Sequence, residues 1–134
     1  MEKKSVFIVA RIRVDVMVPR KEPLESTIQI AVMDFIRAIK LDHITWHTPN
    51  GGRMPAHRGE KLRRLGVLAG VSDIFMARAS RQYHGLALEL KTTKGRLSEN
   101  QKSFLNNLLQ EGYCSRKAHS IDEAIDTIKW YLQL

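Results

Sequence analysis

Val67-Leu68-Ala69-Gly70-Val71-Ser72-Asp73-Ile74-Phe75-Met76-Ala77, then Arg78 to Tyr83, then His84-Gly85-Leu86-Ala87-Leu88-Glu89-Leu90-Lys91 reads as two strands joined by a short polar connector. That arrangement predicts an antiparallel hairpin. Glu89 and Lys91 are two apart, so the period of a strand sends both side chains from one face. Asp73 opens the neighbouring strand. Two carboxylates and an ammonium among Ile74, Phe75, Leu86, Leu88 and Leu90 are costly to bury without compensation. A divalent cation supplies it: Mg²⁺ takes one or two protein carboxylates and completes its shell with water and phosphate oxygens. Such an ion activates a water and neutralises charge developing on a scissile phosphate, with Lys91 beside that water as positioner or base. A bare Asp…Glu-x-Lys pattern is more often an ion pair on an edge strand. Gly70, which lets backbone approach closely, and the loop Lys94-Gly95-Arg96 behind Lys91 weigh toward the site.

On the N-terminal side, Val6 to Val18 alternates apolar and polar positions and predicts one half-buried strand, broken by Pro19 to Pro23. Leu24, Ile28, Ala31, Val32, Phe35 and Ile39 recur at helical spacing over Leu24 to Lys40, with Glu25 and Gln29 on a separate face. Ile44 to His47 predicts a short strand running into the turn Pro49-Asn50-Gly51-Gly52. A basic segment with a short helix near Glu60 to Leu65 follows. On the C-terminal side, Ser98-Glu99-Asn100-Gln101 matches a capping box and opens a helix over Phe104, Leu105, Leu108 and Leu109 that Gly112 ends. Tyr113 to Ala118 predicts another strand. Ser120-Ile121-Asp122-Glu123 is a second capping box, before a helix with Ala124, Ile125, Ile128, Trp130 and Leu132 as core candidates. The order implies an α/β domain with a central mixed sheet flanked by helices.

Glu25, Gly70-Val71-Ser72-Asp73, Glu89-Leu90-Lys91 and Ser98-Glu99-Asn100-Gln101, in that order and spacing, resemble the virus-type replication-repair nuclease (VRR-NUC) domain of the PD-(D/E)xK nuclease superfamily. The resemblance runs from about Leu24 to the C-terminus, leaving 1–23 as an N-terminal β extension and 24–134 as the nuclease domain. It implies a restriction-endonuclease-like core in which Asp73, Glu89 and the Leu90 carbonyl coordinate Mg²⁺ or Mn²⁺. Lys91 is then the catalytic lysine, Glu25 contributes to the metal site from its helix, and Gln101 supports the site. Ser72 stands where the superfamily's name leads one to expect Pro. The length leaves no room for further domains. The resemblance therefore implies the stand-alone phage or bacterial kind, a cytoplasmic homodimer similar in shape to Holliday-junction resolvases and acting on branched DNA. The extra N-terminal strand could pair with a partner copy or complete its own sheet.

Composition agrees. The chain has 134 residues, with 22 Lys+Arg against 14 Asp+Glu for a net charge of +8. One domain of this size buries about two-thirds of its unfolded surface. The longest apolar run, Val6 to Ala10, falls far short of the roughly 18 residues of a spanning helix, so no membrane partner is expected. Excess positive charge points to a polyanion. Arg53, Arg58, Lys61, Arg63 and Arg64, with Lys94 and Arg96, are the candidate phosphate contacts. They would position DNA by shape without reading bases. His43, His47, His57, His84 and His119 show no zinc spacing. His57 and Glu60 are expected to pair on a helix surface, Cys114 to be a buried inert thiol, and Trp46 and Trp130 to anchor the core. The alternative to an enzyme is a non-catalytic nucleic-acid-binding module of the same fold, but a decayed site should have lost Asp73, Glu89 or Lys91.

Overall fold

The alternating run from Val6 to Val18 folds back on itself at Ala10-Arg11. In a computed structural model, which describes residues 2–19, 21–49 and 56–134, it forms antiparallel strands β1 (Glu2–Val9) and β2 (Ile12–Pro19). The expected single strand is therefore a hairpin. Ala10 takes a φ of 53°, which non-glycine residues seldom adopt. The reversal also exchanges the buried phase: Phe7 and Val9 are buried before it and Val14 and Val16 after it, while Ile8 and Ile12 are exposed. The hairpin is a two-stranded sheet of its own, not an edge of the main sheet. Its inner face meets α1 (Glu25–Ala38), where Phe7 stands edge-on to Phe35 with centroids 6.0 Å apart.

The main sheet has the order β3 (Thr45–His47), β4 (Ile74–Met76), β5 (Leu86–Leu90), β6 (Cys114–Ala118). Between β3 and β4 the chain runs through helix α2 (Ala56–Arg64). The pairs β3–β4 and β4–β5 are antiparallel and β5–β6 is parallel. A parallel pair needs a crossover, supplied here by α3 (Glu99–Gln110), and α4 (Ile121–Leu132) closes the chain. This is the expected mixed sheet flanked by helices. The strand expected over Val67 to Ala77 shrinks to three residues, because Val67 to Ala69 are exposed and Gly70 turns the chain with a φ of +83°.

One face of β5 and β6, carrying Leu86, Leu88, Leu90, Cys114 and Ala118, joins Ile28, Val32, Phe35 and Ile36 of α1 and Ala124, Ile125 and Ile128 of α4 in the core. Burying such side chains is worth about 1.5–3 kcal/mol each and fixes the sheet that carries the site. The other face carries Ala87, Glu89 and Ser115 toward α3, and Ser115 Oγ donates to the Leu105 carbonyl at 2.9 Å. Only Leu105 of the apolar face expected for α3 is fully buried. In α4 the buried aromatic is Tyr131, whereas Trp130 and Trp46 remain 39% and 48% exposed, against the expectation that both anchor the core. Trp130 instead stacks under the guanidinium groups of Arg81 and Arg116, at 4.6 and 4.8 Å. Among the described residues no helix is long and apolar enough to cross a membrane.

Candidate active site

Ile74 pairs with Leu88, so extending the antiparallel register by one residue sets Asp73 opposite Glu89. The Asp73 Oδ2 atom accepts a hydrogen bond from the Leu90 N–H at 2.8 Å, which ties the two strands at the site. Glu89 is 1% exposed. Its Oε1 accepts from Gln101 Nε2 at 2.6 Å and lies 3.5 Å from Lys91 Nζ, while its Oε2 is buried with no hydrogen-bond partner. Burial, and then the neighbouring Asp73 charge, push the Glu89 carboxyl up to about 7, with Lys91 pulling the other way.

The Lys91 N–H donates to the Ala118 carbonyl at 2.9 Å, continuing the β5–β6 ladder one residue past the strand. Its side chain is 13% exposed and its ammonium lies 3.9 Å from Glu25 Oε1. Glu25 opens α1 and is half exposed, so the helix start reaches the site from across the sheet edge. The link is reinforced by Glu22, whose Oε1 accepts from the Thr93 N–H at 3.1 Å.

Gln101 has two tasks. In the capping box of α3 its Oε1 accepts from the Ser98 N–H at 2.8 Å, and Ser98 Oγ accepts from the Gln101 N–H. With the amide oxygen committed to the cap, the amide nitrogen is the end that faces Glu89, so the cap sets which atom the site receives. Gln101→Glu keeps a capping acceptor but sets a second carboxylate against Glu89. We expect that variant, without metal, to lose on the order of 1–3 kcal/mol at pH 8 and less toward pH 4, where the carboxyls protonate. Thermal melts in EDTA across that range check it. Equal destabilisation at both pH values would contradict the contact. The second box is only half formed: Ser120 Oγ accepts from the Glu123 N–H, but the Glu123 carboxylate accepts from His119 N–H instead.

Two contacts escaped the reading of the sequence. The Asp73 carbonyl accepts from the Thr48 N–H at 3.0 Å and faces His47 Nδ1 at 2.7 Å, so His47 carries its proton on Nδ1. Gly70 lies so close to α3 that a Cβ there would meet the Asn100 carbonyl carbon at 2.4 Å. The segment before α2 is thus pinned at Asp73 and the segment after it against α3. The only available signal for either was the glycine before the acid.

The residue types fit a hard divalent cation. A buried carboxylate oxygen without a partner, facing a second carboxylate, lacks the compensation that buried charge requires. Asp73 and Glu89 could hold an ion, with the Leu90 carbonyl as a further oxygen donor, whereas Glu25, expected to contribute to the metal, instead faces the Lys91 ammonium. No group of three or more His, Cys, Asp or Glu suited to an ion occurs among the described residues. An ion here would therefore keep water and phosphate oxygens in its shell, as Mg²⁺ does and a closed zinc site does not. Ser72 Oγ, beside Asp73, is also buried without a partner.

Of the basic candidates, Arg58, Lys61, Arg63 and Arg64 lie on α2 and are exposed, and Lys94 and Arg96 are exposed in the loop after Lys91. Arg53 and the Asn50-Gly51-Gly52 turn lie outside the described residues. His57 and Glu60 form no ion pair. Cys114 is buried, and burial pushes its thiol up, as expected of an inert cysteine.

No curated protein matches the chain. A solved structure, described as a VRR_NUC domain protein, is similar with a TM-score of 0.75 and 30% identity, covering 84% of this chain and 91% of that one. The VRR-NUC domain family matches residues 27–121, which include the Asp73, Glu89, Lys91 and Gln101 cluster. With this match, the β4–β5 hairpin that sets an acid opposite Glu-x-Lys places the chain in the VRR-NUC domain family, whose members are of nuclease type.

Proposed function

We propose that the chain is a Mg²⁺- or Mn²⁺-dependent endonuclease that hydrolyses phosphodiester bonds in branched DNA as a homodimer. The observation that carries this reading is the buried, unpartnered Oε2 of Glu89, opposite Asp73 and next to the Lys91 ammonium. When bound, the metal would lower the pKa of a coordinated water and neutralise charge on the phosphate. The chain's own residues do the rest. Gln101 and Lys91 both contact Glu89 Oε1, which leaves Oε2 as the oxygen without a protein partner. Lys91, held between Glu89 and Glu25, presents its remaining N–H bonds to the attacking oxygen or the phosphate. Such positioned groups contribute about 10²–10⁴-fold to a rate. The exposed arginines and lysines bind phosphates without base contacts, so affinity rests on charge and DNA shape.

The dimer follows from the chemistry of a junction: symmetric cutting needs two sites related by a twofold axis, and one chain carries one. The outer face of the β1–β2 hairpin, with Val6, Ile8 and Met17 about half exposed, is available for that contact. The test is incubation of the purified protein with four-way junction, flap, single-stranded and linear duplex DNA, with Mg²⁺ or Mn²⁺ and with EDTA. Metal-dependent cuts in the branched substrates are expected. Binding of DNA without any cut in either metal would instead mark a non-catalytic module.

A further inference from the structure

Between β3 and β4, His57 to Ala69 form an arm that buries almost nothing. Only Gly59 and Leu62 in it are even partly covered, yet the end of this arm is held by backbone hydrogen bonds. The Gly66 N–H donates to the Arg63 carbonyl and the Val67 N–H to the Leu62 carbonyl, with Gly66 at a φ of +98°, which is a Schellman stop for α2. The stop holds three apolar side chains in water: Leu65 at 70% exposure, Val67 at 50% and Leu68 at 59%. The preceding helix turns carry Arg58, Lys61, Arg63 and Arg64 against a single acid, Glu60. Both roots of the arm are the contacts that pin Thr48 and Gly70 beside Asp73 and α3.

We infer that this turn is a wedge. α2 lies along a phosphate backbone while Leu65, Val67 and Leu68 stack against base pairs left exposed where a duplex is interrupted, so the arm selects branched over continuous DNA. The inference rests on the reading of the chain as a DNA-cutting enzyme. Charge favours this occupant. An isologous contact with a second copy would set one four-cation helix against another, whereas a polyanion neutralises all four. Apolar side chains inserted at a base step need unstacked bases, and an interrupted duplex already supplies them.

The test measures binding to a splayed fork and to linear duplex in EDTA, where nothing is cut, with 2-aminopurine at the branch point. Leu65→Ser/Leu68→Ser, both at exposed positions, should lower the fork-to-duplex affinity ratio about tenfold, as expected from losing roughly 1.4 kcal/mol of apolar contact. It should also abolish the 2-aminopurine fluorescence rise that the wild-type protein produces. An unchanged ratio and an unchanged rise overturn the inference. A wild-type dimer that becomes a monomer in the double variant overturns it too, and assigns the turn to an interface between copies. Because these signals need no cleavage, a protein that binds forks in this way and cuts nothing in Mg²⁺ would refute the enzymatic reading alone.

Discussion

Glu89→Gln is expected to abolish DNA cleavage and, in EDTA at pH 8, to raise the melting temperature. The two signs together separate a metal site from a structural ion pair. Glu89 is buried, has one oxygen with no partner and faces the Asp73 charge. Glutamine keeps the volume and removes a desolvated charge, which is expected to gain on the order of 1–3 kcal/mol. Were Glu89 there to pair with Lys91, the same substitution would destabilise the fold, because breaking a buried pair strands the other charge. Lys91→Ala is expected to slow cleavage by about 10²–10⁴-fold. It should leave DNA affinity nearly unchanged, since the proposed binding cations on α2 and the 94–96 loop are untouched. Single-turnover cleavage and melting curves on the same preparations read both effects.

Through Glu89, the metal-free protein is expected to lose stability as pH rises from about 4.5 to about 7. Glu89 titrates near 7 in the folded chain against an ordinary value of 4.5. Below both values the carboxyl is neutral in either state and costs nothing. Between them the folded state holds the proton that the unfolded state has released, so each step upward in pH favours unfolding. Above 7 both states are ionised and the loss is complete, on the order of 3 kcal/mol for this group. Glu89→Gln should flatten the slope in that window. Mg²⁺ should restore stability most at pH 8, where the carboxylate is ionised, and least at pH 5. A melting temperature that climbs steadily from pH 5 to 8 in EDTA, in wild type and variant alike, contradicts the assignment.

The sheet and the candidate cluster were legible where residue chemistry is local. Strand period alone put Glu89 and Lys91 on one face, and the capping box located the start of α3. What escaped depended on contacts between segments. The Val6–Val18 alternation runs unbroken through its own reversal, because Ala10 and Arg11 make a turn without any residue that advertises one. Val67 and Leu68 look like strand residues, but they follow the Schellman stop and find no partner strand. Gln101 was recognisable as a cap, yet its second contact, to Glu89, exists only once α3 crosses the sheet face. Trp130 has the right spacing for the core, and Tyr131, one residue on, fills that place instead.

The most direct measurement is a calorimetric titration of Mn²⁺ into the metal-free protein at pH 8, beside Asp73→Asn and Glu89→Gln. Saturable binding to the wild-type chain, lost in both variants while their melting curves stay cooperative, is the expected result. Binding of equal strength in all three proteins, or none in the wild type, would show that these carboxylates do not hold the ion on which cleavage is proposed to depend.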